Sequence, residues 1–157
     1  MNNKNLVELE SLLSGYWLSD LANFSAYVFE EMSNINWAGF YLSDGKRLRL
    51  GPFCGKVACL EIPFDKGVCG QAFTQNLSLI VDDVDKYAGH IRCDSRSKSE
   101  LVSPLIIQGR SVGVFDIDSP VHSRFNFEDK SFFETALFTL GNKISTFSGL
   151  QYGSVRE

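Results

Sequence analysis

Residues 37–50 read WAGFYLSDGKRLRL, and this stretch decides the fold class. Trp37–Leu42 is a short aromatic and apolar run. Ser43-Asp44-Gly45 is turn chemistry, and Leu48 and Leu50 then alternate onto one face. An apolar run, a turn and an alternating run make a β-hairpin. Gly51-Pro52 reads as a break in the second strand, which residues 59–63 (CLEIP) resume. Upstream, Leu6, Leu9, Leu12 and Leu13 stripe a helix over Asn5–Ser14 that Gly15 ends. Leu21, Phe24, Val28, Phe29 and Met32 stripe a second over Leu18–Ser33, with Ser19 or Asp20 as its cap.

Downstream, residues 66–76 (KGVCGQAFTQN) form a glycine-rich entry into a short helix, and 77–81 a brief strand. Residues 100–107 are apolar and β-rich, 108–110 a turn, and 111–118 (SVGVFDID) a strand. An amphipathic helix over 126–147 closes the chain; its acidic first turn suits the helix dipole. Strands flanked by helices predict an α+β fold. It has a central antiparallel sheet of about six strands, with helices packed on one face and the active-site loops on the other. Nothing reads as a linker or repeat, so residues 1–157 form one domain.

The totals exclude several functions. A net charge of −4, with no basic run longer than Lys46-Arg47, argues against nucleic acid as a partner. No apolar stretch reaches membrane-spanning length, and the first residues lack the apolar core of a signal peptide. The cytoplasm is the expected compartment. There, cysteines stay reduced except where disulfides are transient and catalytic. Cys54, Cys59, Cys69 and Cys93 all fall within residues 54–93. No CxxC occurs, so the usual zinc signature is missing; no metal site is expected, although His90 lies three residues before Cys93.

Cys93 is set apart by its surroundings. It stands between Arg92 and Asp94 in the polar loop of 80–104, IVDDVDKYAGHIRCDSRSKSELVSP. Packing cysteines sit in apolar runs, whereas reactive ones need partial exposure and polar neighbours. This placement marks Cys93 for redox chemistry. Asp116 and Asp118, two apart on a strand, point to one face, with Phe115 and Ile117 on the other. Such a pair is either solvated or, under the Cys93 loop with Glu100, a site for an ammonium group or for a proton held at raised pKa. Trp37 and Tyr41 share a face and serve either the core or a pocket wall.

The segments WAGFYL, GPFCGKVAC, GVCGQA, GHIRCD, SKSELVSPL and GVFDIDS resemble the free methionine-(R)-sulfoxide reductases, which are single GAF domains. The resemblance implies a GAF-like fold and the reduction of free methionine-(R)-sulfoxide to methionine, a repair of oxidative damage. It makes Cys93 the nucleophile that becomes a sulfenic acid. Cys59 is then the resolving partner in a Cys59–Cys93 disulfide, and Cys69 a third family cysteine able to resolve instead. Glu100, Asp116 and Asp118 correspond to acidic substrate ligands, with Glu100 or Asp118 at the sulfoxide oxygen and Asp116 at the ammonium. Trp37 and Tyr41 match the aromatic wall, and Cys54 has no assigned role. Thioredoxin is the implied reductant, and no cofactor is implied. The end helices suggest a homodimer. Two other readings stay open at this stage: a ligand-sensing GAF module without catalysis, and a metal-binding or structural protein.

Overall fold

The computed structural model describes residues 1–91 and 93–150. Two helices lead, α1 (Asn3–Ser11) and α2 (Trp17–Glu31). Strands β1 (Trp37–Ser43), β2 (Arg47–Gly55) and β3 (Glu61–Pro63) follow, then α3 (Gly67–Gln75) and β4 (Leu79–Val81). A 3-10 turn at Val84–Lys86 interrupts the long loop before β5 (Ser99–Ile107), β6 (Arg110–Ser119) and α4 (Phe127–Lys143). The strands form one sheet in the order β3-β2-β1-β6-β5-β4, antiparallel at every pairing. Among the described residues, no helix is long and apolar enough to cross a membrane.

Period-two alternation splits the sheet into two apolar faces. Ala38, Phe40, Leu42, Leu101, Leu105, Phe115 and Ile117 pack against α1, α2 and α4 in the larger core. Trp37, Tyr41, Leu48, Val102 and Val114 point the other way, toward α3. Helices therefore cover one face, as expected, and the short α3 joins the loops on the second. Gly70 allows that docking: a Cβ there would lie 2.7 Å from the carbonyl oxygens of Pro63 and Phe64. Phe115 is the hub of the larger core, with its ring 4.9 Å from Phe24, 4.7 Å from Phe40 and 5.7 Å from Phe133. Phe115→Ala is expected to lower unfolding stability by about 3–5 kcal/mol in urea titrations.

Two expectations are corrected. β2 does not stop at Gly51-Pro52; it runs on to Gly55. Gly39 pairs with Phe53 and Tyr41 with Leu50, so Gly51 and Pro52 together face Phe40 in a bulge. A bulge tolerates the proline that a regular ladder would reject. In addition, α2 begins at Trp17, ahead of Ser19 and Asp20. Asp20 is not its cap but reaches back, accepting hydrogen bonds from the Ser14 and Gly15 amides at 2.8 Å each and from the Ser14 hydroxyl at 2.6 Å. That buried carboxylate fixes the α1–α2 turn. The end helices α1 and α4 pack against each other within the chain.

A second bulge decides the site. Beyond the Gln108-Gly109 turn, Ile107 pairs with Arg110 and Ile106 with Ser111, but Leu105 pairs with Gly113. Val112 is the extra residue. Without it Glu100 would stand opposite Ile117 and face the core, because a one-residue slip exchanges the two faces of a strand. With it, Glu100 pairs with Asp118, and Asp118 with Trp37 on β1. Asp116 pairs with Val102 and Gly39 in the next row.

Candidate active site

Those two rows form the floor of the site. Carboxylate oxygens of Glu100, Asp116 and Asp118 all lie within 4.8 Å of one another. Glu100 and Asp116 are buried, and Asp118 half-buried. Glu100 Oε1 and Asp116 Oδ1 are enclosed without a hydrogen-bond partner among the described residues. Burial first, then the Glu100 charge, pushes the Asp116 carboxyl well above the ordinary range. Burial, then Asp116 and Glu100, does the same to Asp118. Like charges this close do not all ionise, so the cluster holds a proton or awaits a cation.

The roof is the loop between β4 and β5. The Val84 amide donates to the Lys98 carbonyl and the Lys98 amide to that of Ser119, at 2.9 and 2.7 Å, clamping the loop base to the sheet. Asp94 orders its tip, accepting from the Arg96 guanidinium at 2.6 Å and from Asn36 Nδ2 at 3.3 Å. The Arg96 hydrogen bonds hold the Asp94 carboxyl down at about 2. Arg92, the basic neighbour of Cys93 in sequence, lies outside the described residues.

Cys93, at the tip, is joined to Cys59 in a disulfide, with Cα atoms 5.4 Å apart across a sequence separation of 34. The half-buried Cys93 lines a cavity of about 30 Å³ with Cys69, His90, Glu100, Asp116 and Asp118. A second space of about 10 Å³ lies between Cys93, Asp116, Asp118, Trp37 and Tyr41. The structure thus brings together Cys59, Cys69, Cys93, the three carboxyls and the two aromatic residues singled out in the sequence. Trp37 stacks on Tyr41 at 5.7 Å and on Phe53 at 5.3 Å between ring centroids. Gly39 makes the second stack possible, since a Cβ there would collide with Phe53 and lie 2.7 Å from the Trp37 ring. Both aromatic residues also hold the Cys59 loop. Trp37 Nε1 donates to the Lys56 carbonyl and Tyr41 Oη to the Cys59 carbonyl, at 3.1 Å each.

Cys69 is buried on α3 and outside the disulfide. Burial, then Asp116, pushes its thiol well up, so it stays protonated. Cys54 is half-buried on β2 and lines neither space. The residue undervalued in the sequence is His90, weighed there only beside Cys93 as a metal ligand. Its Nε2 lies 3.4 Å from Glu100 Oε1, with side chains 12% and 6% exposed. The GHIRCD spacing places His90 on the lid, but only the β5 register shows that it faces Glu100.

The arrangement is a disulfide above a crowded, proton-holding carboxyl cluster with an aromatic wall, a layout able to serve thiol redox chemistry and to take up a cation. The GAF domain family matches residues 19–145. The free methionine-R-sulfoxide reductase of Escherichia coli is 46% identical over 125 residues, spanning 78% of this chain and 76% of that protein. That of Saccharomyces cerevisiae is 44% identical over 152 residues, spanning 90% and 84%. The X-ray structure of free methionine-R-sulfoxide reductase from Neisseria meningitidis, in complex with its substrate, superposes with a TM-score of 0.87. It is 36% identical and covers 93% of this chain and 94% of that one. The chain belongs to the free methionine-R-sulfoxide reductase family of GAF-domain proteins.

Proposed function

We propose that this protein reduces free methionine-(R)-sulfoxide to methionine through Cys93 and Cys59. One observation carries the reading: Cys93, bonded to Cys59, hangs directly over the Asp116 and Asp118 carboxyls. The Cys93 thiolate attacks the sulfoxide sulfur, and a carboxyl proton goes to the departing oxygen. The sulfoxide S–O bond and the transient S–S bond break as the protonated oxygen bonds to the Cys93 sulfur, so methionine leaves and Cys93 is a sulfenic acid. The Cys59 thiol then attacks the Cys93 sulfur, the S–OH bond breaks and water leaves, forming the disulfide.

Asp118 is the proton donor in this reading. Its carboxyl is pushed up and borders both spaces beside Cys93. Glu100 and Asp116 take the ammonium, an ion pair strengthened by burial. The Trp37–Tyr41 wall takes the apolar side chain. Cys69, protonated and buried, is a slow nucleophile beside Cys59 and leaves resolution to it. Thioredoxin returns the dithiol.

The assay is NADPH oxidation with thioredoxin, its reductase and each sulfoxide epimer. The free R epimer is expected to drive turnover and the S epimer not; equal rates, or none, would sink the reading. The disulfide form has another consequence. A cavity of about 30 Å³ has room for a water or two, not for an amino acid. The loop has to lift before substrate enters. Calorimetry is expected to give the disulfide form an affinity for the sulfoxide at least about tenfold below that of the reduced Cys93→Ser variant.

A further inference from the structure

The two sulfurs of the disulfide have different surroundings. Cys93 borders both spaces of the site, beside Asp94, Asp116 and Asp118. Cys59 borders neither. It lies half-buried in the connection from β2 to β3, whose carbonyls are fastened inward by Trp37 and Tyr41, and by the Leu50 amide on the Leu60 carbonyl at 3.0 Å. With its backbone anchored, the connection turns two large apolar side chains outward. Val57 is 88% and Leu60 76% exposed, and Val57 also edges the second space beside Cys93. Scattered exposed apolar residues are ordinary. Here two of them bracket a redox sulfur on a tethered loop.

Charge separates the two sulfurs further. A thiolate that opens a disulfide arrives as an anion. At Cys93 it meets the crowded carboxyls of Glu100, Asp116 and Asp118, while Asp94 is paired with Arg96. Close to Cys59 in sequence are exposed Lys56 and Glu61, and the Glu61 charge is already taken up by Arg47 and Arg49.

We propose that Val57 and Leu60 are the docking contact for a dithiol protein reductant, and that its thiolate attacks Cys59 rather than Cys93. The proposal rests on the reading of Cys59–Cys93 as the bond formed in turnover. The partner's sulfur bonds to Cys59 Sγ while the Cys59–Cys93 bond breaks, its electron pair leaving on Cys93 as a thiolate. The partner's second thiol then attacks the mixed disulfide. It closes the partner's own disulfide and releases Cys59 as a thiolate that takes a proton from water. Two electrons pass from partner to protein, and Cys93 is left ready to attack substrate. Apolar anchors beside the reacting atoms are the usual centre of such an interface, with charged residues at its rim.

The test compares reductants on the full chain. In the Leu60→Glu variant, kcat/KM for thioredoxin is expected to fall about tenfold or more, while turnover driven by dithiothreitol stays at the wild-type rate; Leu60 lines neither space beside Cys93. Thioredoxin lacking its second cysteine is expected to form a mixed disulfide that peptide mapping places on Cys59. Unchanged thioredoxin kinetics in the variant, or a mixed disulfide on Cys93, overturns the proposal. So does a wild-type dimer that the Leu60→Glu variant dissociates, which would assign the patch to a second copy of this chain. Loss of dithiothreitol-driven turnover in the wild type would remove the redox reading itself and is separate from failure of docking.

Discussion

Cys93→Ser is expected to abolish sulfoxide reduction, with a fall in kcat of about three orders of magnitude or more. The serine oxygen sits where the sulfur did, over the same carboxylates, so substrate binding survives and nucleophilic attack does not. The informative measurement is a single turnover without reductant. Reduced wild-type protein should release one methionine per chain and lose two hydrogens by intact mass as the disulfide closes. Cys59→Ser should also release one methionine but halt with a sulfenic acid on Cys93, trapped by dimedone. Cys93→Ser should release none. The series also judges Cys69. If Cys59→Ser still closes a disulfide, Cys69 resolves it, and α3 must move to bring out a thiol that is now buried. Cys69→Ser is expected to leave closure of the Cys59–Cys93 bond intact.

How much of this was legible in the sequence depends on how local each signal is. The alternation of residues 115–118 placed Asp116 and Asp118 on one face and Phe115 and Ile117 on the other, and they lie so. A period of two is carried by the strand itself. The meeting of Glu100 with Asp118 is not local. It depends on one extra residue, Val112, in a strand whose composition looks unbroken. Gly51-Pro52 misled for the related reason that turn residues and bulge residues are the same residues. Only the partner strand, with Phe40 opposite both, tells them apart. The Cys59–Cys93 bond joins positions that local patterning cannot relate, and resemblance to a family supplied it. His90 illustrates the remaining gap: a loop residue's partner is set by where the loop lands, and the sequence encodes that landing in the Val84–Lys98 and Lys98–Ser119 backbone bonds.

Asp116→Asn is expected to weaken the enzyme and strengthen the fold. Asp116 is buried, with Oδ1 unpartnered, and its proton is held well above the ordinary range by burial and then by Glu100. An amide of the same shape carries no charge to form the ion pair with the substrate ammonium that we propose for Asp116. Losing one partner of a buried charge pair costs about 2–5 kcal/mol, so kcat/KM should drop by about thirtyfold or more. Stability moves the other way. Folded Asp116 binds its proton more tightly than the unfolded chain, whose aspartate titrates at ~3.9. Its contribution to stability is therefore complete below that pH and is lost as pH rises through the raised folded value. The amide of the variant does not titrate and carries no such loss. The variant should match the wild type near pH 4 and melt about 2–4 °C higher at pH 8, the shift that about 1 kcal/mol produces in a domain of this size. A lower melting point at pH 8 would mean that the carboxylate is already paired within the fold. The cluster would then be a structural network, and the ammonium would need another site. A higher melting point with lost activity is what the proposed ammonium site requires: the crowded carboxyls hold a proton until a positive charge takes its place.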